Sequence, residues 1–465
     1  MRRYHLESAY LEQGWARGAI VGVSDQGFIT EVLQSAEDAP LAPDLERIRG
    51  FVVPGMSNGH SHAFQRAMSG KTEYRASARD SFWTWRNAMY ALANRIDPDD
   101  LNILATQLFV EMLKSGYTSV AEFHYLHRAR DGTPFTGANA LWDATLNAAS
   151  MAGIGLTFLP TLYQSGDFGG RPLKAEQARF FLDTEAFLRG IEERIGADRR
   201  GGSTTLRTGA AFHSLRAVPL ANLREAALRL RAIDASMPVH IHVAEQALEV
   251  KACVGETGRR PVEVLLDTGL LTEHWCLVHA THATRAELDA LAASGASVCV
   301  SISTEANLGD GCFDTARFLN AGGRLCIGSD SQSTVSPAEE LRWLEYQQRL
   351  RKRRRAVLAA PGEPHVGTRL WRDAAQHGAQ AIGQRAGAIA VGRRADWLVL
   401  DASHASLVGA AADAALDHLI FAGGEAAIRD VMVAGRWVIK DGRHAAEEEL
   451  RPRFGALMQR LAADA

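Results

Sequence analysis

Pro238-Val239-His240-Ile241-His242-Val243-Ala244-Glu245 decides the fold. The run behind Pro238 is short, apolar and rich in β-branched residues, which predicts a strand rather than a helix. An apolar run of this kind suits a strand covered on both faces, as in a parallel sheet. It ends on His242 and Glu245. A titratable group just past such a run is poorly explained by core packing. Three other apolar runs end the same way. The run starting Phe51-Val-Val-Pro-Gly leads to His60-Ser61-His62, Trp275-Cys-Leu-Val278 leads to His279, and Ile327-Gly-Ser329 leads to Asp330.

Outward from these ends, further strands are predicted at Thr118–Phe123, Gly155–Pro160, Leu206–Phe212, Ala296–Val300 and Arg324–Gly328. Amphipathic segments separate them. After Pro219, Leu220, Leu223, Ala227, Leu230 and Ile233 fall at helical spacing. Alternation of this kind over roughly 250 or more residues is what a (β/α)8 TIM barrel requires. Periodicity alone leaves a doubly wound sheet open, but that fold does not explain why both ends of the chain are strand-rich. Residues 1–54 carry a hairpin pattern around Gly27. From 386 onward a turn-strand unit runs to Leu400, a hairpin follows from Val431 to Gly442, and the chain from Glu447 looks helical. The expected organisation is an α/β protein. Its barrel spans 55–385, and a small β-sandwich is built jointly from 1–54 and 386–465.

The totals narrow the function. With 465 residues, 46% of them apolar, the chain can fill a barrel core and a smaller partner. A net charge of −3 and a single short basic run, Arg351–Arg355, argue against nucleic acid as a partner; the run reads as a solvated helix end. No stretch approaches the roughly 18 apolar residues of a membrane span. The N-terminal residues lack the apolar segment of a secretory signal, and the five cysteines are scattered without a Cys-x-x-Cys pair. Both features predict a reducing, cytoplasmic setting without a disulfide framework.

The strand-end residues make chemical sense together. On a strand, His60 and His62 point the same way. At the carboxyl end of a barrel strand that direction is the mouth of the active site. Three neutral imidazoles and a carboxylate, from His60, His62, His242 and Asp330, suit one divalent metal, Zn2+ above all and Fe2+ as a second choice. Such an ion lowers the pKa of a bound water toward neutrality. Glu245 then remains free to carry protons, His279 to orient the water or steady a tetrahedral intermediate, and Asp330 to accept a proton as well as bind metal. A His-Glu-x-x-His helix, a Pro-Cys-x-x-Cys pair and a Walker A loop are all missing.

These pieces resemble the amidohydrolase superfamily over nearly the whole chain. The matching stretches are Pro54-Gly-Met-Ser-Asn-Gly-His60-Ser-His62, Gly116-Tyr-Thr-Ser-Val120, His242-Val-Ala-Glu245, Val278-His279-Ala280, Gly328-Ser-Asp330 and Gly387-Ala-Ile-Ala-Val-Gly-Arg-Arg-Ala-Asp396. The resemblance implies a barrel flanked by a β-sandwich, metal ligands His60, His62, His242 and Asp330, and catalytic roles for Glu245 and His279. Binuclear members carry a modified lysine on the fourth strand. Leu206–Phe212 offers none, so a single metal is expected.

Within the superfamily, the formimidoylglutamate deiminase family is the nearest resemblance. It is carried by His60-Ser-His-Ala-Phe-Gln65-Arg-Ala-Met68, Ser81-Phe-Trp-Thr-Trp-Arg86, Ala121-Glu-Phe-His-Tyr125, Phe212-His213-Ser-Leu-Arg216 and Ser303-Thr-Glu-Ala-Asn-Leu-Gly-Asp-Gly311. It implies hydrolysis of a linear amidine on a dicarboxylate. That substrate agrees with the residues themselves, because arginine offers a planar fork matched to carboxylate. Arg86 is placed in an aromatic loop after the first strand and Arg216 just past the fourth. Gln65, Tyr125 and His213 are further substrate-contact candidates. His124, His127 and His282 read as surface or supporting residues. Other members of the scaffold act on a purine, a thio-nucleoside or a triazine, but a neutral heterocycle does not need two arginines. A non-enzymatic scaffold with a degenerate barrel would lack ligands that are all present here. A homodimer is compatible with the resemblance, although no stretch of sequence marks an interface.

Overall fold

The computed structural model describes residues 1–34, 45–73, 82–136 and 139–463. Four strands open the chain: β1 (Arg2–Leu11), β2 (Gly14–Val23), β3 (Ile29–Leu33) and β4 (Leu45–Pro54). The barrel strands follow as β5 (Met56–Ser61), β6 (Tyr117–His124), β7 (Gly155–Leu162), β8 (Leu206–Thr208), β9 (Ala210–Ser214), β10 (Val239–Val243), β11 (Trp275–His279), β12 (Ser297–Val300) and β13 (Arg324–Ile327). The chain returns to strands in β14 (Trp397–Leu400), β15 (Ile428–Val433), β16 (Arg436–Lys440) and β17 (Arg443–His444), and ends in the helix Glu447–Ala463.

Two sheets result. The first runs β17-β16-β15-β14-β4-β1-β2-β3, so strands from both chain ends interleave in one eight-stranded sheet. The join is β4 against β14, antiparallel, with Val53 opposite Leu398 and Val52 opposite Val399. All four of these side chains are fully buried. The second sheet is parallel and runs from β5 through β6, β7, β9, β10, β11 and β12 to β13. Here β8 and β9 act as one strand interrupted at Gly209. A side chain at that position would fall 2.6 Å from Leu159 and 2.8 Å from the Pro238 carbonyl.

The barrel closes between β5 and β13 through a short seam. Ser61 bridges Asp330 in parallel register. His62 N–H donates to the Asp330 carbonyl at 3.2 Å, and Asp330 N–H donates to the His60 carbonyl at 3.0 Å. Asn58 stands in for the missing ladder by donating to Ser329 Oγ at 2.7 Å and accepting from Ser329 N–H at 3.1 Å. Three of the four expected ligands therefore lie on the seam that shuts the barrel.

Helices cover the outside, as right-handed βαβ crossovers require. The helix Pro98–Ser115 starts on a capping box formed by Asp97 and Asp100. The helix Leu220–Ile233 buries Leu223, Ala227 and Leu230, whereas Leu220, in its first position, is 37% exposed. Inside the barrel, below the mouth, the thiols of Cys276, Cys299 and Cys326 cluster with Ala381. Gly59 is required beside them, since a Cβ there would lie 2.9 Å from two of the sulfurs. All five cysteines are free. Arg353, Arg354 and Arg355 lie exposed just past the helix Pro337–Lys352. Among the described residues no helix is long and apolar enough to cross a membrane.

Candidate active site

Parallel register brings the strand ends to one level. In β10 and β11, His242 lies opposite Val278 and Val243 opposite His279. His242, His279 and Asp330 therefore converge with His60 and His62 at the carboxyl ends of the strands, where barrel enzymes place their chemistry. His279 and Asp330 hold left-handed backbones, with φ of 71° and 46°. Non-glycine residues adopt that region at a cost of order 1–3 kcal/mol, and it turns the chain abruptly at the barrel mouth.

Two overlapping groups could hold a metal ion: His60, His62 and Asp330, and His60, His242 and His279. His242 Nε2 lies 3.0 Å from His60 Nε2. Asp330 Oδ1 lies 3.3 Å from His60 Nε2 and 3.4 Å from His62 Nε2. His62 Nδ1–H donates to the Phe123 carbonyl at 2.9 Å, and His242 Nδ1–H donates to the His213 carbonyl at 2.8 Å. Those bonds commit Nδ1 and leave Nε2 with a lone pair facing the common point. Burial, followed by the neighbouring His62, pulls the His60 imidazole down to about 3. Burial and the neighbouring imidazoles hold His242 well below the usual histidine range. For Asp330, burial opposes ionisation, but hydrogen bonding to His60 and the surrounding imidazoles hold it well below the carboxylate range. Neutral imidazoles beside an ionised carboxylate are the donor set that a divalent cation takes, so these residues fit one.

His279 differs. Its Nε2 lies 3.7 Å from Glu245 Oε1 and 3.8 Å from Asp330 Oδ2, and its Nδ1 donates to Glu305 Oε1 at 3.2 Å. Burial alone would lower it, but Glu245, Glu305 and Asp330 outweigh burial and push it up to about 10. A cationic imidazole has no lone pair to give, which sets His279 apart from the other three. Burial raises Glu245 to about 7 despite the pull of His279. Its backbone N–H donates to Glu249 Oε2 at 3.0 Å, fixing the turn that carries it.

One cavity opens onto these groups. His62, His242, Glu245, His279 and Asp330 line its floor, and Gln65, Arg86, Tyr125, His213 and Arg216 line its walls. Gln65 donates from Nε2 to Tyr125 Oη at 2.8 Å, while its carbonyl oxygen has no partner among the described residues. Arg86 lies not in a loop but on the helix Phe82–Ala93; Ser81, which opens the aromatic motif, lies outside the described residues. The Arg86 guanidinium stacks on Trp83 at 4.3 Å, and its buried Nε has no partner among the described residues. Arg216 reaches the same ring at 5.9 Å. The two cations thus approach one ring and line one cavity. Burial and the field of Arg216 keep His213 well below the usual histidine range.

Sequence reasoning missed the far wall. Gln177 donates to Tyr163 Oη at 2.8 Å and to Tyr90 Oη at 3.2 Å. Both tyrosines line the cavity beside the arginines. Only Tyr90, one helical turn after Arg86, carried a local signal. His124 and His127 are buried, so of the two expected places, surface or supporting, they take the second. His127 accepts from the Trp142 indole at 3.1 Å and donates to the Thr161 carbonyl at 2.8 Å, a structural role.

Residues 51–438 match the amidohydrolase family. The chain belongs to the amidohydrolase family. This amidohydrolase is 48% identical to formimidoylglutamate deiminase from Pseudomonas aeruginosa, over 98% of each chain. The crystal structure of an amidohydrolase from Brucella melitensis superposes with a TM-score of 0.92 at 40% identity, covering 99% of this chain and 100% of that one. An adenosine deaminase from Xanthomonas campestris with bound zinc shares the fold, with a TM-score of 0.80 at 22% identity over 99% and 98% of the two chains.

Proposed function

We propose that this amidohydrolase hydrolyses N-formimidoyl-L-glutamate to N-formyl-L-glutamate and ammonia, a step of histidine degradation. The observation that carries the reading is the pair Arg86 and Arg216 on one wall of the cavity whose floor holds the imidazole–carboxylate cluster. A relative named for that deiminase, at 48% identity over 98% of the chain, supports it. Two guanidinium groups suit a substrate with two carboxylates. The cluster suits a zinc ion and would also take iron(II). The buried, free cysteines agree with a reducing compartment such as the cytoplasm.

The chemistry is a water addition followed by loss of ammonia. A formimidoyl group is an amidine and is protonated at neutral pH, so its carbon is already electrophilic. When bound, the divalent ion supplies a water of lowered pKa. Arg86 and Arg216 hold the carboxylates and place the formimidoyl carbon over the cluster. The Glu245 carboxylate holds the cationic nitrogen, takes a proton from the attacking water and returns it to that nitrogen as the C–N bond breaks; Asp330 accepts the second proton as the formyl group forms. His279 and Asp330 steady the attacking oxygen, which becomes the formyl oxygen.

The test is ammonia release from N-formimidoyl-L-glutamate by the metal-loaded protein, beside N-formimidoyl-L-aspartate and guanine. Preference for the glutamate compound is the expected result. Turnover of guanine with none of the formimidoyl compounds would refute the reading.

A further inference from the structure

The motif Ser303–Gly311 places two buried carboxylates, Glu305 and Asp310, directly behind the proton-handling pair. Glu305, on the helix Ile302–Leu308 that follows β12, is completely buried. Its Oε1 accepts from His279 Nδ1 at 3.2 Å and from Ser301 N–H at 3.1 Å, and its Oε2 has no partner among the described residues. A carboxylate in so dry a position is costly unless a charged or strongly donating group answers it. Among the described residues, the only side chain hydrogen-bonded to it is His279.

His279 also needs such an anchor. Its backbone is left-handed at φ 71°, as is that of Ala280 at 49°, so the strand geometry that would aim its ring is lost at this residue. An imidazole can turn over about its Cβ–Cγ bond, which swaps Nδ1 with Cδ2 and Nε2 with Cε1, and the partner of one nitrogen decides what the other presents. We propose that Glu305 is a positioning residue for the reaction: its carboxylate holds His279 Nδ1–H, so that Nε2 faces Glu245 and Asp330. The same segment buttresses the other half of the pair. Asp310 N–H donates to the Glu305 carbonyl at 2.9 Å, and the Asp310 carboxylate accepts from the side-chain amide of Gln246, next to Glu245. This inference rests on the reading of Glu245 and His279 as the pair that handles protons.

Two variants and one measurement on the unsubstituted protein test it. Glu305→Leu removes the acceptor at similar volume, and its kcat should fall roughly 100-fold with the metal still bound. Its KM should stay within about threefold of the parent value, because substrate binding is left to the arginines. Glu305→Gln keeps an acceptor oxygen and should recover roughly tenfold of the lost kcat. A Glu305→Leu protein within about threefold of parental kcat overturns the proposal, as do two variants that lose kcat, metal and thermal stability together. Should Glu305→Leu not fold, histidine-selective 15N spectra of the parent decide. With the His279 signals assigned through His279→Gln, Nδ1 should be protonated, and an unprotonated Nδ1 overturns the proposal. Those spectra need no substrate, so failure to turn over N-formimidoyl-L-glutamate would sink the substrate reading without touching this one.

Discussion

The Nε2 atoms of His60 and His242 face each other at 3.0 Å, each within a buried ring. The His242 Nε2 lone pair must be answered by an N–H of His60 or by a positive charge that the two rings share. Burial makes a proton costly there, since it holds both imidazoles far below their ordinary range. A divalent ion shared with His62 and Asp330 removes the conflict. Because it binds the folded chain, free metal at about 100 times its Kd should add about 2.7 kcal/mol of stability. Stripping with a chelator should therefore lower Tm and abolish turnover, and added zinc should restore both. A Tm indifferent to chelator and to zinc would mean that no cation occupies the cluster.

Glu245 is pushed up to about 7 by burial and must be ionised to hold a cationic nitrogen. Its raised pKa means that the carboxylate is lost as pH falls, so kcat/KM should show an acid limb at or somewhat below about pH 7. Glu245→Gln should lower kcat by roughly 100-fold or more, remove that limb and leave the metal content unchanged. Metal analysis beside a pH–rate profile checks all three. An unchanged kcat in the variant would remove Glu245 from the mechanism.

The cluster was legible in the sequence because its rules are local. Period two puts His60 and His62 on one side, and an apolar run buried on both faces leaves its last polar residue at the barrel mouth. The join of the two chain ends was legible for a similar reason, since neither strand block could bury itself alone. The helix of Arg86 was not. Phe82-Trp-Thr-Trp shows no helical stripe, because Phe82 and Trp85 line a cavity instead of one packed face. Tyr163 and Gln177 were invisible for another reason. They meet Tyr90 only through tertiary packing of three separate segments. Glu305 lay in plain view in a motif, but its link to His279 spans two strands and a helix.

On the proposed reading, Arg86 and Arg216 set the choice of substrate from the cavity wall. A hydrogen bond to a charged group contributes about 1.5–3 kcal/mol. Replacing either arginine with Ala should therefore cost roughly 10- to 100-fold in kcat/KM, mostly as a higher KM. Both cations lie on the Trp83 ring, so the double variant should fall short of additive, as coupled neighbours do. Steady-state kinetics of the two single variants and the double variant measure this. Parental kcat/KM in the double variant would exclude a dicarboxylate substrate.

Glu340 allows a test of the fold away from the site. Its side chain is wholly buried; Oε2 accepts from Ser303 N–H at 3.2 Å, and Oε1 has no partner among the described residues. Burial pushes its carboxyl up to about 8. The group is thus neutral in the folded chain at a pH where the unfolded chain ionises it. A folded pKa raised above the unfolded one contributes stability at low pH that is lost as pH rises, until the folded group also ionises near its own pKa. Glu340→Gln keeps the acceptor oxygen and cannot ionise in either state. Its urea midpoint should therefore gain on the parent between about pH 5 and about pH 8 and then hold a constant lead. A difference between the two midpoints that does not change with pH would show that Glu340 is ionised in the fold.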